Sequence, residues 1–131
     1  MLGGFLPLSL NLFGQMKKWE EFWKERERLN ELVLENADKV TKRFFSLDSQ
    51  AYREGSIPVK YKELMGLVAS LVLRCDDCIT YHIVQCHRSG VSRDELIEAM
   101  SIALVVGGSI VIPHLRRAYE IMEELYSEKQ A

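Results

Sequence analysis

Apolar and polar residues recur along most of the chain with the three- and four-residue steps of amphipathic helices. From Trp19 to Val40 apolar side chains keep this spacing between runs of Glu, Lys and Arg, which predicts one long helix with a solvated face. No segment shows the strict alternation of a half-buried strand. The pattern therefore predicts an all-α fold. Helices are expected over residues 17–42, 59–73, 75–88, 92–107 and 109–126.

Local signals mark the helix ends. Residues 44–58 lose the periodicity and carry turn-forming residues, so they are predicted as a connection with at most a short turn of helix. Pro58 suits the first turn of the next helix, where its missing N–H costs nothing. Ser92 and Glu95 have the spacing of a capping box. Pro113 either begins the last helix or kinks it.

The length of 131 residues, of which 47% are hydrophobic, fits one globular domain. The formal net charge of −2 provides no cationic field for nucleic acid or an anionic membrane. Three cysteines are too few for a disulfide framework, whereas a C-x-x-C pair in such a composition is typical of redox or metal chemistry. These features favour a cytoplasmic protein that binds no nucleic acid.

Residues 1–15 contain no charged side chain, and a strongly charged segment follows from Lys17. We interpret them as an apolar N-terminal extension in front of a single domain over residues 16–131. The run is too short to span a bilayer, and its positive charges follow it rather than precede it as in a signal peptide. The extension is either an arm that packs on a partner subunit or an upstream addition to a protein that begins at Met16.

The candidate chemistry centres on Cys75 and Cys78, which are three residues apart at the predicted start of a helix. Unpaired backbone N–H groups and the helix dipole favour a thiolate there. The spacing places both sulfurs on one side of the first turn, where they can close a disulfide. His82 lies on the same helix face and can exchange a proton with a thiol near neutral pH. This arrangement predicts thiol redox chemistry.

Glu63 precedes Cys75 by twelve residues. A straight helix would separate the two by roughly 18 Å. If the chain reverses near Arg74, the two helices run antiparallel, and Glu63 and His82 face each other across a gap of several ångströms that one water can bridge. The alternative is a solvated carboxylate favoured by the dipole at a helix start.

Cys86 provides an alternative, because Cys75, Cys78, His82 and Cys86 together offer the donor types of a structural zinc site. However, eight residues of helix place Cys86 roughly 12 Å from Cys78, too far for one metal ion. We therefore interpret Cys86 as a small buried apolar residue. His87 and His114 stand alone in the sequence and are interpreted as surface or satisfied core residues.

The pattern Glu63, Cys75-Asp76-Asp77-Cys78, His82 resembles that of the carboxymuconolactone decarboxylase-like superfamily, in its alkylhydroperoxidase AhpD-like branch. The surrounding residues agree, from the Tyr61-Lys62-Glu63-Leu64-Met65-Gly66-Leu67 segment to Val106-Gly107-Gly108. The resemblance covers residues 44 to 125. It implies an AhpD-like helical domain with an antiparallel helix pair that carries the C-x-x-C motif at a helix N-terminus, and assembly into homotrimers or hexamers.

The resemblance also implies an enzyme that reduces a peroxide or a disulfide, with a lipoyl or other dithiol as electron donor and no resident cofactor or metal. Cys75 and Cys78 would be the redox pair, and Glu63 and His82 a water-linked proton relay. The position of Cys75 at the helix end favours it as the cysteine that attacks first, whereas a direct hydrogen bond to His82 is within reach of Cys78 and favours that residue. The decarboxylase that names the superfamily lacks this cysteine pair, so lactone decarboxylation is not expected.

One departure from the AhpD pattern concerns the residue before the second cysteine, where AhpD has histidine and this chain has Asp77. Together with Asp76 it should raise the pKa of the thiols and oppose the helix dipole, unless Asp76 acts mainly as a helix cap. Two further hypotheses are a zinc-binding module and a non-catalytic oligomeric scaffold in which the cysteines are incidental.

Overall fold

The computed structural model describes residues 10–127. Six α-helices follow one another in this part of the chain: α1 (Lys18–Asn36), α2 (Lys39–Ala51), α3 (Val59–Leu73), α4 (Asp76–Arg88), α5 (Arg93–Gly107) and α6 (Ile112–Tyr126). A short 3-10 turn, Ser109–Val111, precedes α6. The described residues form no strand beyond an isolated bridge between Leu10 and Met16, so the all-α prediction is confirmed.

The N-terminal half differs from the prediction in two respects. The single helix expected over residues 17–42 is wrong, because α1 ends at Asn36 and a separate α2 follows. The connection expected over residues 44–58 is wrong in its first half, which belongs to α2. Asp38 causes the break, because its side chain accepts a hydrogen bond from the backbone N–H of Thr41 at 2.9 Å and so caps a new helix. No residue of α2 is buried.

The core lies between α3, α4, α5 and α6, with the beginning of α1 packed against α4 and α6. Its fully buried side chains are mainly aliphatic, and the largest are Leu67, Leu71, Ile79, Ile83, Leu96, Met100 and Met122. The capping box of Ser92 and Glu95 forms as predicted. Pro113 lies in the first turn of α6, so that helix begins there and is not kinked.

The chain reverses between α3 and α4 at Arg74, as predicted. This residue adopts the left-handed conformation with φ 60° and ψ 43°. The N–H of Cys75 donates to the carbonyl of Ser70 and that of Arg74 to Leu71, both at 3.1 Å, which is the Schellman arrangement that ends a helix. The reversal lays α4 back along α3 as an antiparallel pair.

Much of the N-terminal extension lies outside the described residues. Within it, only residues 10–15 are placed, where Leu12 is fully exposed and Phe13 nearly so. No described helix combines the length and apolar character that crossing a membrane requires.

Candidate functional site

The cysteine pair lies at the N-terminus of α4. Cys75 is the N-cap, and its sulfur accepts a hydrogen bond from the N–H of Cys78 at 3.3 Å. A disulfide joins the two residues, whose Cα atoms are 5.3 Å apart. Cys75 is half-buried, whereas Cys78 is exposed. Cys75 and Cys78 thus lie at the N-cap and in the first turn of α4, where backbone N–H groups and the helix dipole stabilise a thiolate.

Glu63 and His82 form a buried pair across the α3–α4 interface. The Oε2 atom of Glu63 lies 2.8 Å from Nδ1 of His82. The two residues are only 2% and 6% exposed. The expected gap bridged by water is therefore wrong, because α3 and α4 pack closely enough for direct contact. Since a carboxylate only accepts hydrogen bonds, Nδ1 carries the proton, and the lone pair of a neutral ring lies on Nε2.

Gly66 permits this close approach. A Cβ atom at position 66 would lie 2.5 Å from Cε1 of His82 and 2.7 Å from Nε2. The imidazole therefore occupies the space that the side chain of any other residue type at position 66 would need. Sequence reasoning noted Gly66 only as part of a resembling segment, although a glycine inside a helix is a recognised sign of close packing.

Tyr52, at the end of α2, is a site residue that sequence reasoning missed. Its hydroxyl lies 3.4 Å from Nε2 of His82, and the two rings are 5.3 Å apart. Burial, and then the negative charge of Glu63, raise the pKa of Tyr52. The hydroxyl therefore stays protonated and can donate to the Nε2 lone pair. No local signal could have identified Tyr52, because it lies in the segment predicted as a connection.

An open cavity of about 490 Å³ gives access to Cys78 and His82. The ring of Tyr81 forms one wall; it is stacked on Trp23 at 5.8 Å and lies under the guanidinium of Arg26 at 4.3 Å. The other lining residues come from α1, α2 and the first turn of α4, namely Phe22, Glu25, Leu29, Asn30, Asp48, Tyr52 and Asp77. The cavity thus combines an apolar lining with charged groups at its edge.

Cys86 does not join the other candidate residues. It is fully buried in the core, as predicted. Burial, followed by the charge of Glu63, raises the pKa of its thiol to about 12. Between residues 10 and 127, no three His, Cys, Asp or Glu side chains are arranged as metal ligands. The four residues considered for zinc are therefore not gathered around one point.

The Asp76 carboxylate is held by two side chains of α6. Asp76 is not a helix cap: its Oδ1 lies 2.8 Å from Nδ1 of His114 and its Oδ2 lies 2.9 Å from the guanidinium of Arg117. Burial alone would raise the pKa of Asp76, but the hydrogen bonds from His114 and Arg117 outweigh it and lower the pKa. His114 is accordingly a partner of this carboxylate, and His87 packs edge-on against Tyr126 at 4.8 Å.

Comparison with known proteins bears directly on this arrangement. The model of the carboxymuconolactone decarboxylase family matches residues 38–120, well over half of the chain. The chain belongs to the carboxymuconolactone decarboxylase family. The resemblance inferred from the C-x-x-C motif and its surroundings is thereby confirmed at the level of the family.

Solved structures of the carboxymuconolactone decarboxylase family share the fold. A Thermotoga maritima member is 61% identical with a TM-score of 0.81, over 82% of this chain and 95% of that one. A second crystal structure of that protein gives a TM-score of 0.79. The protein is described there as a family member for which a part in the antioxidative response has been suggested. A Legionella pneumophila member is 24% identical with a TM-score of 0.76, over 83% of this chain and 97% of that one.

Two curated relatives add only sequence similarity. An uncharacterised protein of Cupriavidus necator is 34% identical over 58 residues, which are 44% of this chain and 51% of that protein. The chain therefore spans about half the length of this relative. Uncharacterised protein 4 of the cox locus of Paracoccus denitrificans is 22% identical over 63% of this chain and 74% of its own length.

Proposed function

We propose that this member of the family is a thiol-dependent oxidoreductase of the AhpD-like branch, which reduces a peroxide or a small disulfide. The observation that carries the proposal is the juxtaposition at one cavity of the Cys75–Cys78 disulfide and the buried Glu63–His82 pair. The part in the antioxidative response suggested for the Thermotoga maritima relative agrees with this chemistry.

We assign the first attack to Cys78, because it is exposed and lines the cavity together with His82, whereas Cys75 is half-buried. His82 takes the thiol proton on Nε2, directly or through water, while Glu63 holds the Nδ1 proton and stabilises the imidazolium. Tyr52 holds the ring in place, because its hydroxyl, 3.4 Å from Nε2, can donate to the neutral imidazole and accept from Nε2–H once His82 is protonated. Its role is one of positioning.

The proposed reaction with a peroxide begins at Cys78. The thiolate of Cys78 attacks one peroxide oxygen, the O–O bond breaks, and the alcohol leaves with the proton held by His82. The product is a sulfenic acid at Cys78. The sulfur of Cys75 then displaces water from it and closes the disulfide. An external dithiol, lipoyl or similar, supplies two electrons and two protons to restore the thiols and is itself oxidised to a disulfide.

Assembly into a homotrimer or hexamer in the cytoplasm forms part of the proposal. Several large apolar side chains are exposed on α5 and at the end of α3, among them Val105 at 82%, Leu73 at 76% and Val106 at 68%. Such clustering is typical of a surface that associates with a partner. Equilibrium sedimentation would test the assembly; a protein that stays monomeric would contradict it.

The test of the function is hydroperoxide consumption by the pre-reduced protein, with dihydrolipoamide as the dithiol. One peroxide should be consumed for each pair of thiols oxidised. Cys75→Ser and Cys78→Ser should abolish turnover, and Glu63→Gln, His82→Ala and Tyr52→Phe should weaken it, the last least.

The matched control is Cys86→Ala, which removes a buried thiol away from the cavity and should leave turnover unchanged. Full turnover in either serine variant would overturn the dithiol mechanism. Absence of turnover in the native protein, with both peroxides and small disulfides, would overturn the proposed function.

A further inference from the structure

A second charged cluster adjoins the cysteine pair. Asp76 is bonded covalently to Cys75 and is the first residue of α4. Its carboxylate is held by two residues of α6: His114 through Oδ1 at 2.8 Å and Arg117 through Oδ2 at 2.9 Å. The cluster thus connects residues 38 positions apart in the chain and fixes α6 against the turn that carries the disulfide.

The charge of Asp76 matters to a reduced cysteine pair. When the disulfide opens, the helix dipole stabilises a thiolate on either cysteine, and the N–H of Cys78 adds to this stabilisation for Cys75. A carboxylate on the next residue opposes that stabilisation, and a guanidinium bound to the carboxylate offsets it. Any preference for thiolate over thiol also favours the dithiol form over the disulfide, because only the reduced form can ionise.

Other charged groups surround this turn. Arg74 precedes Cys75 and is exposed, and Asp77 follows on α4 and lines the cavity. Glu63 and His82 lie at the interface of α3 and α4. These groups stay the same when the Asp76 cluster is altered, so a comparison of variants isolates the contribution of the cluster.

We propose that Arg117, together with His114, is a positioning residue that offsets the Asp76 carboxylate and thereby sets the reduction potential of the Cys75–Cys78 pair. This inference rests on the proposed function only in requiring that the Cys75–Cys78 pair is reduced and oxidised reversibly. It does not depend on which peroxide or disulfide is the substrate.

The experiment is equilibration of the full-length protein with graded glutathione buffers at pH 8, followed by mass-resolved thiol trapping. Arg117→Gln should shift the equilibrium two- to fivefold toward the disulfide, about 9 to 21 mV for a two-electron couple. Asp76→Asn should shift it by a similar factor toward the dithiol. The double variant Asp76→Asn/Arg117→Gln should return close to the native value.

The opposite signs of the shifts expected for the two single variants distinguish an electrostatic role from a structural one. Both single variants break the same contact between α4 and α6, so a merely structural role would move them in the same direction. Arg93→Gln is the matched control, because it removes another salt bridge to α6, the one with Glu123, at a distance from the cysteines in the sequence. This control should leave the equilibrium unchanged.

Two results would overturn the inference. Shifts of the same sign in Arg117→Gln and Asp76→Asn, or values equal to the native one in both, would refute it while leaving the proposed function intact. A native pair with no reversible transition would refute both the inference and the proposed function. A native pair that titrates normally in a protein that turns over neither peroxides nor small disulfides would refute the proposed function alone.

Discussion

Replacement of Gly66 by alanine is expected to disturb the Glu63–His82 pair. The new Cβ would lie 2.5 to 2.8 Å from three atoms of the imidazole, whereas carbon contacts are normally about 3.5–4.0 Å. The ring would have to move by about 1 Å. It has little freedom to do so, because Glu63 holds Nδ1 at 2.8 Å and the rings of Tyr52 and Tyr81 lie 5.3 and 5.0 Å away.

The magnitude follows from three contributions. A glycine-to-alanine change inside a helix gains about 1 kcal/mol from backbone propensity. Overpacking at a buried contact costs about 1–3 kcal/mol. Displacement of the ring leaves the buried Glu63 carboxylate without its partner, which costs about 1–3 kcal/mol more. The net expectation for Gly66→Ala is a loss of about 1–5 kcal/mol in the free energy of unfolding.

Urea unfolding and peroxide turnover measured on the same variant would check this expectation. The matched control is Gly55→Ala, whose Cβ would meet only the flexible end of Lys62, at 3.8 Å. The control should unfold and turn over like the native protein. If Gly66→Ala is as stable as the native protein or more stable, and its turnover is unchanged, the reasoning from close packing is refuted.

Two further predictions concern the thiol in the core and the charge at α4. Burial raises the pKa of Cys86 to about 12, so after reduction iodoacetamide should label Cys75 and Cys78 in the native protein and Cys86 only on unfolding; native labelling of all three would contradict this. The folded state lowers the pKa of Asp76 below 3.8, so its ion pairs stabilise the fold above about pH 4 and are lost as pH falls through that pKa. Asp76→Asn should therefore lower Tm at pH 7, with a gap from the native protein that narrows on acidification; a gap independent of pH would refute this.

The helices that sequence reasoning located best are those with local end signals. The capping box at Ser92 and Glu95 predicted the beginning of α5, because it acts through hydrogen bonds of its own turn. By contrast, Pro113 left open whether the last helix begins there or is kinked, and α6 begins at Ile112 rather than at the expected residue 109. The break before α2 was missed because the apolar steps continue past it to Val40, and one Asp38 cap carries little weight against that periodicity.

The candidate site likewise combines a local feature, which the sequence predicts, with a contact between helices, which it does not. The relation between Cys75 and Cys78 is set by one helical turn, so the sequence alone predicts that they can pair. The contact between Glu63 and His82 depends on the reversal at Arg74 and on the distance between two packed helices. Spacing in the sequence contains neither quantity, which is why the direct hydrogen bond and the contribution of Tyr52 were not predicted.

The cysteine pair and the Glu63–His82 pair are held in place by different contacts. The cysteine pair is held by the cap of α4, whereas the proposed proton acceptor, His82, is held by the packing of α3 on α4 through Gly66. Substitutions in the α3–α4 interface should therefore alter proton transfer to His82 while the disulfide still forms. Substitutions at Asp76 or Arg117 should instead alter the equilibrium between dithiol and disulfide while the Glu63–His82 pair stays in place. Under the proposed mechanism, the packing of α3 on α4 and the Asp76 cluster would therefore be two separate sets of contacts through which the chemistry can be changed.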